Sequence, residues 1–331
     1  MELSIDILSS YPPVQEAEVD KVLAEEIRDN EKKIVVLDDD PTGVQTVHDI
    51  SVYTNWEKAS IEQGFAEENK LFYILTNSRG FTAAQTEKAH KEIAEVVDQV
   101  AKETGKEYLF ISRSDSTLRG HYPLETTILK DEYEKNTGKK IDGEVLCPFF
   151  KEGGRFTIDD VHYVQYDDTL VPAAETEFAK DKTFGYTVSN LKEYVEEKTQ
   201  GAYKKENVTA ISLENIRELN YDKIEEQLLA VEDFNKVIVN AIDYVDVKIF
   251  CVALFRAMKK GKNFMFRTAA AIVKVMGGVS NQPLLTREQM VVKETDNGGI
   301  IVVGSHTDKT TRQMEKLREN KDIAFVELNA T

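Results

Sequence analysis

Short β-branched runs alternate with amphipathic helical stretches along most of the chain. Residues 34–37, 50–53, 71–75, 108–111 and 144–147 are apolar, brief and closed by turn residues, the pattern of strands inside a sheet. Between the third and fourth of these, TAAQTEKAHKEIAEVVDQVAKETG sets Ala89, Ile93, Val96, Val97 and Val100 on one helical face. Thr82 is placed to cap that helix and Gly105 to stop it. Strand, helix and strand in succession predict a crossover and a parallel sheet. Further strands are expected over 208–211 and 237–240, with helices around 215–232, 245–260 and 266–276. No internal repeat or low-complexity tract interrupts the pattern.

The polar segment 280–297 contains Pro283 and is followed by two glycines, which reads as a linker. GGIIVVGSHTDKTTRQMEKLRENKDIAFVEL then reads as strand, Gly-Ser turn, capped helix and strand. The expected fold class is α/β, a mostly parallel sheet with flanking helices, plus the first β-α-β of a second domain. Residues 1–290 form the expected substrate-binding domain and 291–331 the start of an incomplete nucleotide-binding domain. A lone element of about 30 residues cannot bury its own helix face. Either it packs on the first domain or the sequence is the front part of a longer protein.

At 331 residues, with 41% hydrophobic and 31% charged positions, the composition is that of an ordinary globular protein. The net charge of -17 opposes general affinity for nucleic acid or anionic membranes, so an anionic ligand requires a local basic pocket. Cys147 and Cys251 lie in apolar surroundings and match no metal or redox spacing; buried thiols and a reducing compartment are expected. MELSIDILSSYPP lacks the basic start and apolar run of a signal peptide, and no apolar run approaches the ~20 residues of a membrane span. The expected location is cytoplasmic.

Ligands of open parallel sheets bind beyond the carboxyl ends of the strands. Three such positions are polar here: Asp38-Asp39-Asp40-Pro41-Thr42-Gly43, Thr76-Asn77-Ser78-Arg79-Gly80, and Ser112 to His121, reading SRSDSTLRGH. Turn preference accounts for any one of them. Three at one sheet edge point to a site. Arg79, Arg113 and Arg119 offer forks for a carboxylate or phosphate, and Ser114, Ser116 and Thr117 offer hydroxyls for a sugar-like ligand. Repulsion within the aspartate triplet raises at least one pKa unless a cation neutralises it, which suits a general base or a magnesium site. A small polyhydroxylated acid fits this mixture. Gly153-Gly154-Arg155 reads as a glycine turn rather than a lid, and Arg267 is expected on a helix, reaching the site or facing solvent.

Two enzyme classes and one non-enzyme remain open. VLDDDPTG contains Asp-x-Asp-x-Thr after an apolar strand, the opening motif of haloacid-dehalogenase-type phosphatases, with Asp38 as nucleophile and Asp40 as acid/base; SRSDSTLRG then has no task. LDDDPTGVQT, LTNSRG, SRSDSTLRGH, LCPFFKEGGRFTIDDVHYV, FRTAA and GGIIVVGSHTDKTT, in this order, resemble the four-carbon acid sugar kinase family from about residue 33 onward. The resemblance implies a substrate-binding α/β domain, a nucleotide-binding domain, and ATP- and Mg²⁺-dependent phosphorylation of a hydroxyl on a threonate- or erythronate-like acid. Carried over by motif, Asp39 and Asp40 are the catalytic pair. Arg79, Asp115, Ser116 and Thr117 bind substrate, with Arg119 beside them. Gly304 and Ser305 open the nucleotide site, most of whose glycine-rich loops are absent from the sequence. The implied partner is a small sugar acid, with no nucleic acid and no membrane, and self-association is left open. A sugar-acid binding module without catalysis needs the first domain alone.

Overall fold

Lys33–Asp38 is buried along its whole length, which requires cover on both faces and pairing at both edges. This strand, β2, follows β1 (Leu3–Ser4). The others are β3 (Val52–Tyr53), β4 (Leu71–Leu75), β5 (Tyr108–Arg113), β6 (Gly143–Cys147), β7 (Arg155–Ile158), β8 (Val161–Tyr166), β9 (Thr169–Pro172), β10 (Thr209–Ile211), β11 (Asn235–Val239) and β12 (Phe264–Thr268). Eight of them form one parallel sheet, ordered β10-β11-β6-β12-β5-β2-β4-β3. The structure, a computed structural model, describes every residue except 292, 294, 296, 306 and 329–331, and divides into compact units 1–282 and 283–331.

Alternation along β2 sends Ile34 and Val36 into one core and Val35 and Leu37 into the other. The first core is closed by α1 (Glu16–Asp29), α8 (Tyr244–Lys259) and α9 (Ala270–Met276); the second by α2 (Lys58–Ala66), α3 (Ala83–Thr104) and α4 (Leu124–Thr137). Helices α5 (Leu191–Lys198), α6 (Leu213–Arg217) and α7 (Tyr221–Leu229) complete the first unit. Thr82 caps α3 in a capping box with Gln85, and Gly105 stops it at φ 66°. Both cysteines are free and buried. Among the described residues no helix is long and apolar enough to cross a membrane.

Four expectations are corrected. Residues 50–53 do not form an interior strand: β3 pairs only with β4 at the sheet edge, and Val52 is exposed. The span 215–232 is two helices, because Leu219 takes φ 56° between α6 and α7. Residues 266–268 belong to a strand: Phe-Met-Phe-Arg-Thr is wholly buried between β5 and β6, where pairing on both sides overrides the helical look of the alanines that follow. The fourth concerns a second sheet the pattern did not reveal, antiparallel and ordered β1-β9-β8-β7. Asp159 and Asp160 connect β7 to β8 with φ 48° and 67°, the two-residue turn with both centres left-handed that suits a twisted hairpin.

In the second unit, α10 (Arg287–Met290) precedes α11 (Asp308–Leu317), the helix expected after Gly304-Ser305, with Thr307 as its cap. The expected flanking strands are not formed among the described residues. Ile300, Val302, Val326 and Leu328 are exposed, with no buried face to hold them in a ladder. The linker expectation extends over 292, 294 and 296, outside the described residues.

One buried ion pair ties the sheet to the loops above it. Lys236 on β11 faces Glu144 on β6, 2.8 Å apart and both fully buried, while the ammonium lies 3.4 Å from the Phe234 centroid and 4.0 Å from that of Tyr203. Tyr122 donates to the same carboxylate at 3.3 Å. Lys236→Met leaves that carboxylate without a counterion in the core and should cost about 3–5 kcal/mol in chemical denaturation. Adding Glu144→Leu should restore most of it. A single variant as stable as wild type would show that the pair does not operate.

Candidate functional site

The carboxyl end of β2 lies between those of β4 and β5, so loops far apart in sequence meet there. Asp38 sits opposite Arg113 in the β2–β5 register and the two pair directly. Arg113 also donates to the Asp40 carbonyl at 2.9 Å. A Cβ on Gly43 would come within 2.2 Å of both Arg113 Nε and Asp38 Oδ2, so only glycine lets the loop pass over this pair. Thr76 donates to the Asp38 carbonyl from its amide and its hydroxyl, both at 2.9 Å, which fixes the β4 loop on the β2 loop.

Arg79 reaches back from that loop and grips Asp39 with Nε at 3.2 Å and Nη2 at 2.6 Å, while its Nη1 pairs with Asp40. Ser114, after β5, donates to Asp39 Oδ2, the oxygen that also accepts from Arg79 Nε. Asp39 is 3% exposed, and burial pushes its carboxyl up to about 6, against the opposing pull of Arg79. Asp40 is more open, and one of its oxygens accepts from the amide and hydroxyl of Thr42. Each aspartate of the triplet is therefore matched with an arginine. The fork of Arg79, offered by the sequence to a ligand carboxylate, is already engaged by Asp39 and Asp40.

The β5 loop is held by its main chain. Four successive carbonyls accept from buried side chains of other elements: Ser116 from His162 Nε2 at 2.7 Å, Thr117 from Tyr186 at 2.8 Å, Leu118 from Tyr194 at 2.8 Å, and Arg119 from Arg267 at 2.8 Å. His162 accepts at Nδ1 from Thr157, and burial lowers its pKa to about 4, so it is neutral. The side chains of Asp115, Thr117 and Arg119 associate: Arg119 donates to Asp115 at 2.6 Å and Thr117 donates to the same oxygen. Burial would raise the Asp115 carboxyl, but Arg79 and Arg119 outweigh it and hold the group well below the usual range. Among the described residues the half-buried Ser116 hydroxyl has no hydrogen-bond partner. A small cavity of about 20 Å³ lies beside the loop, lined by Asp115, Leu118, Pro148, Tyr194 and Arg267.

Beneath the loops lies Glu125, 1% exposed, which accepts from Ser78 at 2.6 Å and Ser112 at 3.3 Å and approaches Arg267 at 3.9 Å. Its place inside the helical run LETTILKD carried no signal. Tyr186 and Tyr194 were equally silent, since they act on a loop about 70 residues earlier. Arg267 enters from the end of β12, not from a helix. His121 donates from Nε2 to the Phe81 carbonyl at 3.0 Å and stands apart from the aspartates' hydrogen bonds.

Asp39, Asp40, Arg79, Asp115, Ser116, Thr117 and Arg119 thus sit on adjoining loops of the first unit. Gly304 and Ser305 lie in the second. The Ser305 hydroxyl accepts from Thr310 at 3.0 Å at the start of α11, a turn able to contact a phosphate, but nothing crowds Gly304. Among the described residues no group of three or more His, Cys, Asp or Glu is arranged to hold a metal. With its three aspartates facing guanidinium groups, the first unit does not fit a resident Mg²⁺.

The sequence pattern described as the sugar-binding N-terminal domain matches residues 34–276. The chain belongs to that family. All the first-unit site residues fall within the matched span of the sugar-binding N-terminal domain, and Gly304 and Ser305 fall outside it. The membership agrees with the resemblance to the four-carbon acid sugar kinase family. No curated protein matches the chain in sequence. Among solved structures, the fold is similar to a Bordetella bronchiseptica domain of unknown function, described with bound citrate and as a domain-swapped dimer, at 18% identity and TM-score 0.53, covering 74% of this chain and 55% of that one. A Haemophilus influenzae protein of the same domain-of-unknown-function family aligns at 17% identity and TM-score 0.51, covering 86% of this chain and 65% of that one. The chain therefore spans 55% to 65% of these two structures.

The raised Asp39 carboxyl gives a signed prediction. Between its ordinary value of 3.8 and about 6 the folded state holds a proton that the unfolded state releases, so stability from this group is present below pH 4 and lost as pH rises through 6. Denaturation of wild type and Asp39→Asn across pH 4–7 should show wild type losing roughly 3 kcal/mol relative to the variant. Parallel profiles would place the Asp39 pKa at an ordinary value.

Proposed function

We propose that this chain is the acceptor-binding part of an ATP-dependent kinase that phosphorylates a hydroxyl of a four-carbon sugar acid, threonate- or erythronate-like. The observation that carries the proposal is the convergence of three loops on Asp39, which leaves one buried, raised carboxylate next to hydroxyl and guanidinium groups. Family membership and the citrate described in the Bordetella neighbour support a small polar acid as ligand. ATP, when bound, supplies the phosphoryl group.

Asp39 takes the proton of the accepting hydroxyl. A carboxylate with a pKa of about 6 is ionised at neutral pH yet more basic than an exposed aspartate, the compromise a general base needs. Ser114 marks where a hydroxyl meets Asp39 in the resting protein, and the substrate hydroxyl takes the equivalent approach. Arg79 is a positioning residue that sets the angle of Asp39 and Asp40. Ser116 offers its free hydroxyl to the sugar acid, and Asp115, Thr117 and Arg119 form the wall beside it. The haloacid-dehalogenase alternative makes Asp38, which is paired with Arg113, the nucleophile and leaves the Asp115-Thr117-Arg119 cluster without a task.

Incubation of the full-length protein with ATP, Mg²⁺ and a panel of four-carbon sugar acids should yield ADP and a phosphorylated acid in equal amounts. Asp39→Asn should lower turnover about 10²–10⁴-fold with the fold retained by circular dichroism. Release of inorganic phosphate from sugar phosphates without ATP would favour the phosphatase, and acid binding without ADP formation would favour a binding module. Unchanged turnover in Asp39→Asn would remove the base assignment.

A further inference from the structure

Arg155 opens β7 directly after Gly153-Gly154, and the proposed reaction does not use its guanidinium. Among the described residues its side chain makes no ion pair and no hydrogen bond, and its Nε is buried. What holds it is a ring: Phe178 lies 5.5 Å from the Arg155 guanidinium and 5.1 Å from that of Arg119. Arg119 uses Nε on Asp115 and Thr117, and its two terminal nitrogens have no partner among the described residues. Two guanidinium groups therefore contact one aromatic ring, with one committed carboxylate bonded to the Arg119 member of the pair.

The glycine two positions before this arginine has a steric reason. A Cβ on Gly153 would come within 2.9 Å of Arg155 Nη1 and 2.5 Å of the Phe150 ring, so a side chain there would displace the guanidinium. The backbone also fixes its root, since the amide and carbonyl of Arg155 both bond to Phe150. Asp115, Glu177 and Tyr166 face the guanidinium as acidic or phenolic groups and Arg119 as a cation. Asp115 is already bonded to Arg119 and Thr117, and Glu177 accepts from Tyr166 at 2.6 Å. A partly buried cation without a counterion is costly, and an incoming anion offsets that cost.

We infer that Arg155 and Arg119, seated on Phe178, form a carboxylate subsite that selects the acid over the corresponding neutral polyol. This rests on the sugar-acid assignment and adds the group that reads its charge. The carboxylate accepts from both forks, which leaves the hydroxyl end of a short acid to extend along Asp115 and Ser116.

Calorimetric titration of the full chain and of its Arg155→Gln and Arg155→Lys variants tests the subsite, with threonate, threitol, citrate and inorganic phosphate as probes. Threonate should bind wild type at least about tenfold more tightly than Arg155→Gln, with Arg155→Lys in between and threitol unaffected. Equal threonate affinity in wild type and Arg155→Gln overturns the subsite and leaves the sugar-acid assignment standing. Citrate or phosphate binding that is lost in Arg155→Gln, with no threonate binding to wild type, keeps an anion subsite and removes the sugar acid. Absence of binding by all three anions overturns both. Should Arg155→Gln fail to fold, Arg155→Lys carries the comparison, and undiminished threonate affinity in it counts against the paired forks.

Discussion

The site depends on matching charges at the ends of three neighbouring strands. Three aspartates in a row repel one another, and no fold holds them together without compensation. Here Arg113 rises from the strand beside Asp38, and Arg79 comes from the loop on the other side to meet Asp39 and Asp40. One partner ends β5 and the other lies after β4, so the aspartates can be gathered only if β2, β4 and β5 are in register. The lattice specifies the arrangement of the loops more than it stabilises the protein, because desolvating so many charges offsets much of their attraction.

On this base the two sheets divide the work. The parallel sheet delivers Asp39, Arg79 and the β5 loop to one edge. His162 on the antiparallel sheet and Tyr194 on α5, with Tyr186 between them in sequence, hold that loop from above through its carbonyls. Lys236 and Glu144 link the layers below through Tyr122. Charge is thus managed at the aspartates by ion pairs, while the loop carbonyls are held by an imidazole and two phenols, all neutral, and by the Arg267 guanidinium.

Local patterns in the sequence were enough for β2, β4, β5 and α3, where strand length, the apolar run and capping residues all sit within one segment. They were also enough to bring Asp39, Arg79 and the Asp115 loop to one edge, because a parallel sheet places loops by topology alone. They failed where a residue's role is set by a distant partner. Phe264–Thr268 became a strand because it is enclosed by β5 and β6, and the adjacent alanines obscured that. Glu125, Tyr186 and Tyr194 are polar groups whose partners lie on other elements, a relation that composition and periodicity do not encode. The exposure of Ile300 to Val303 has a similar origin, since apolar character marks a strand only when a neighbour is present to complete it.

Because the β5 loop is gripped at Ser116, Thr117, Leu118 and Arg119 by their peptide oxygens, its path does not rest on the half-buried Ser116 and Arg119 side chains, whereas Thr117 and Leu118 are buried and Leu118 takes φ 68°. Variation at Ser116 and Arg119 can exchange one ligand preference for another while the scaffold stays unaltered, a division of the stretch into parts open and closed to evolutionary retuning.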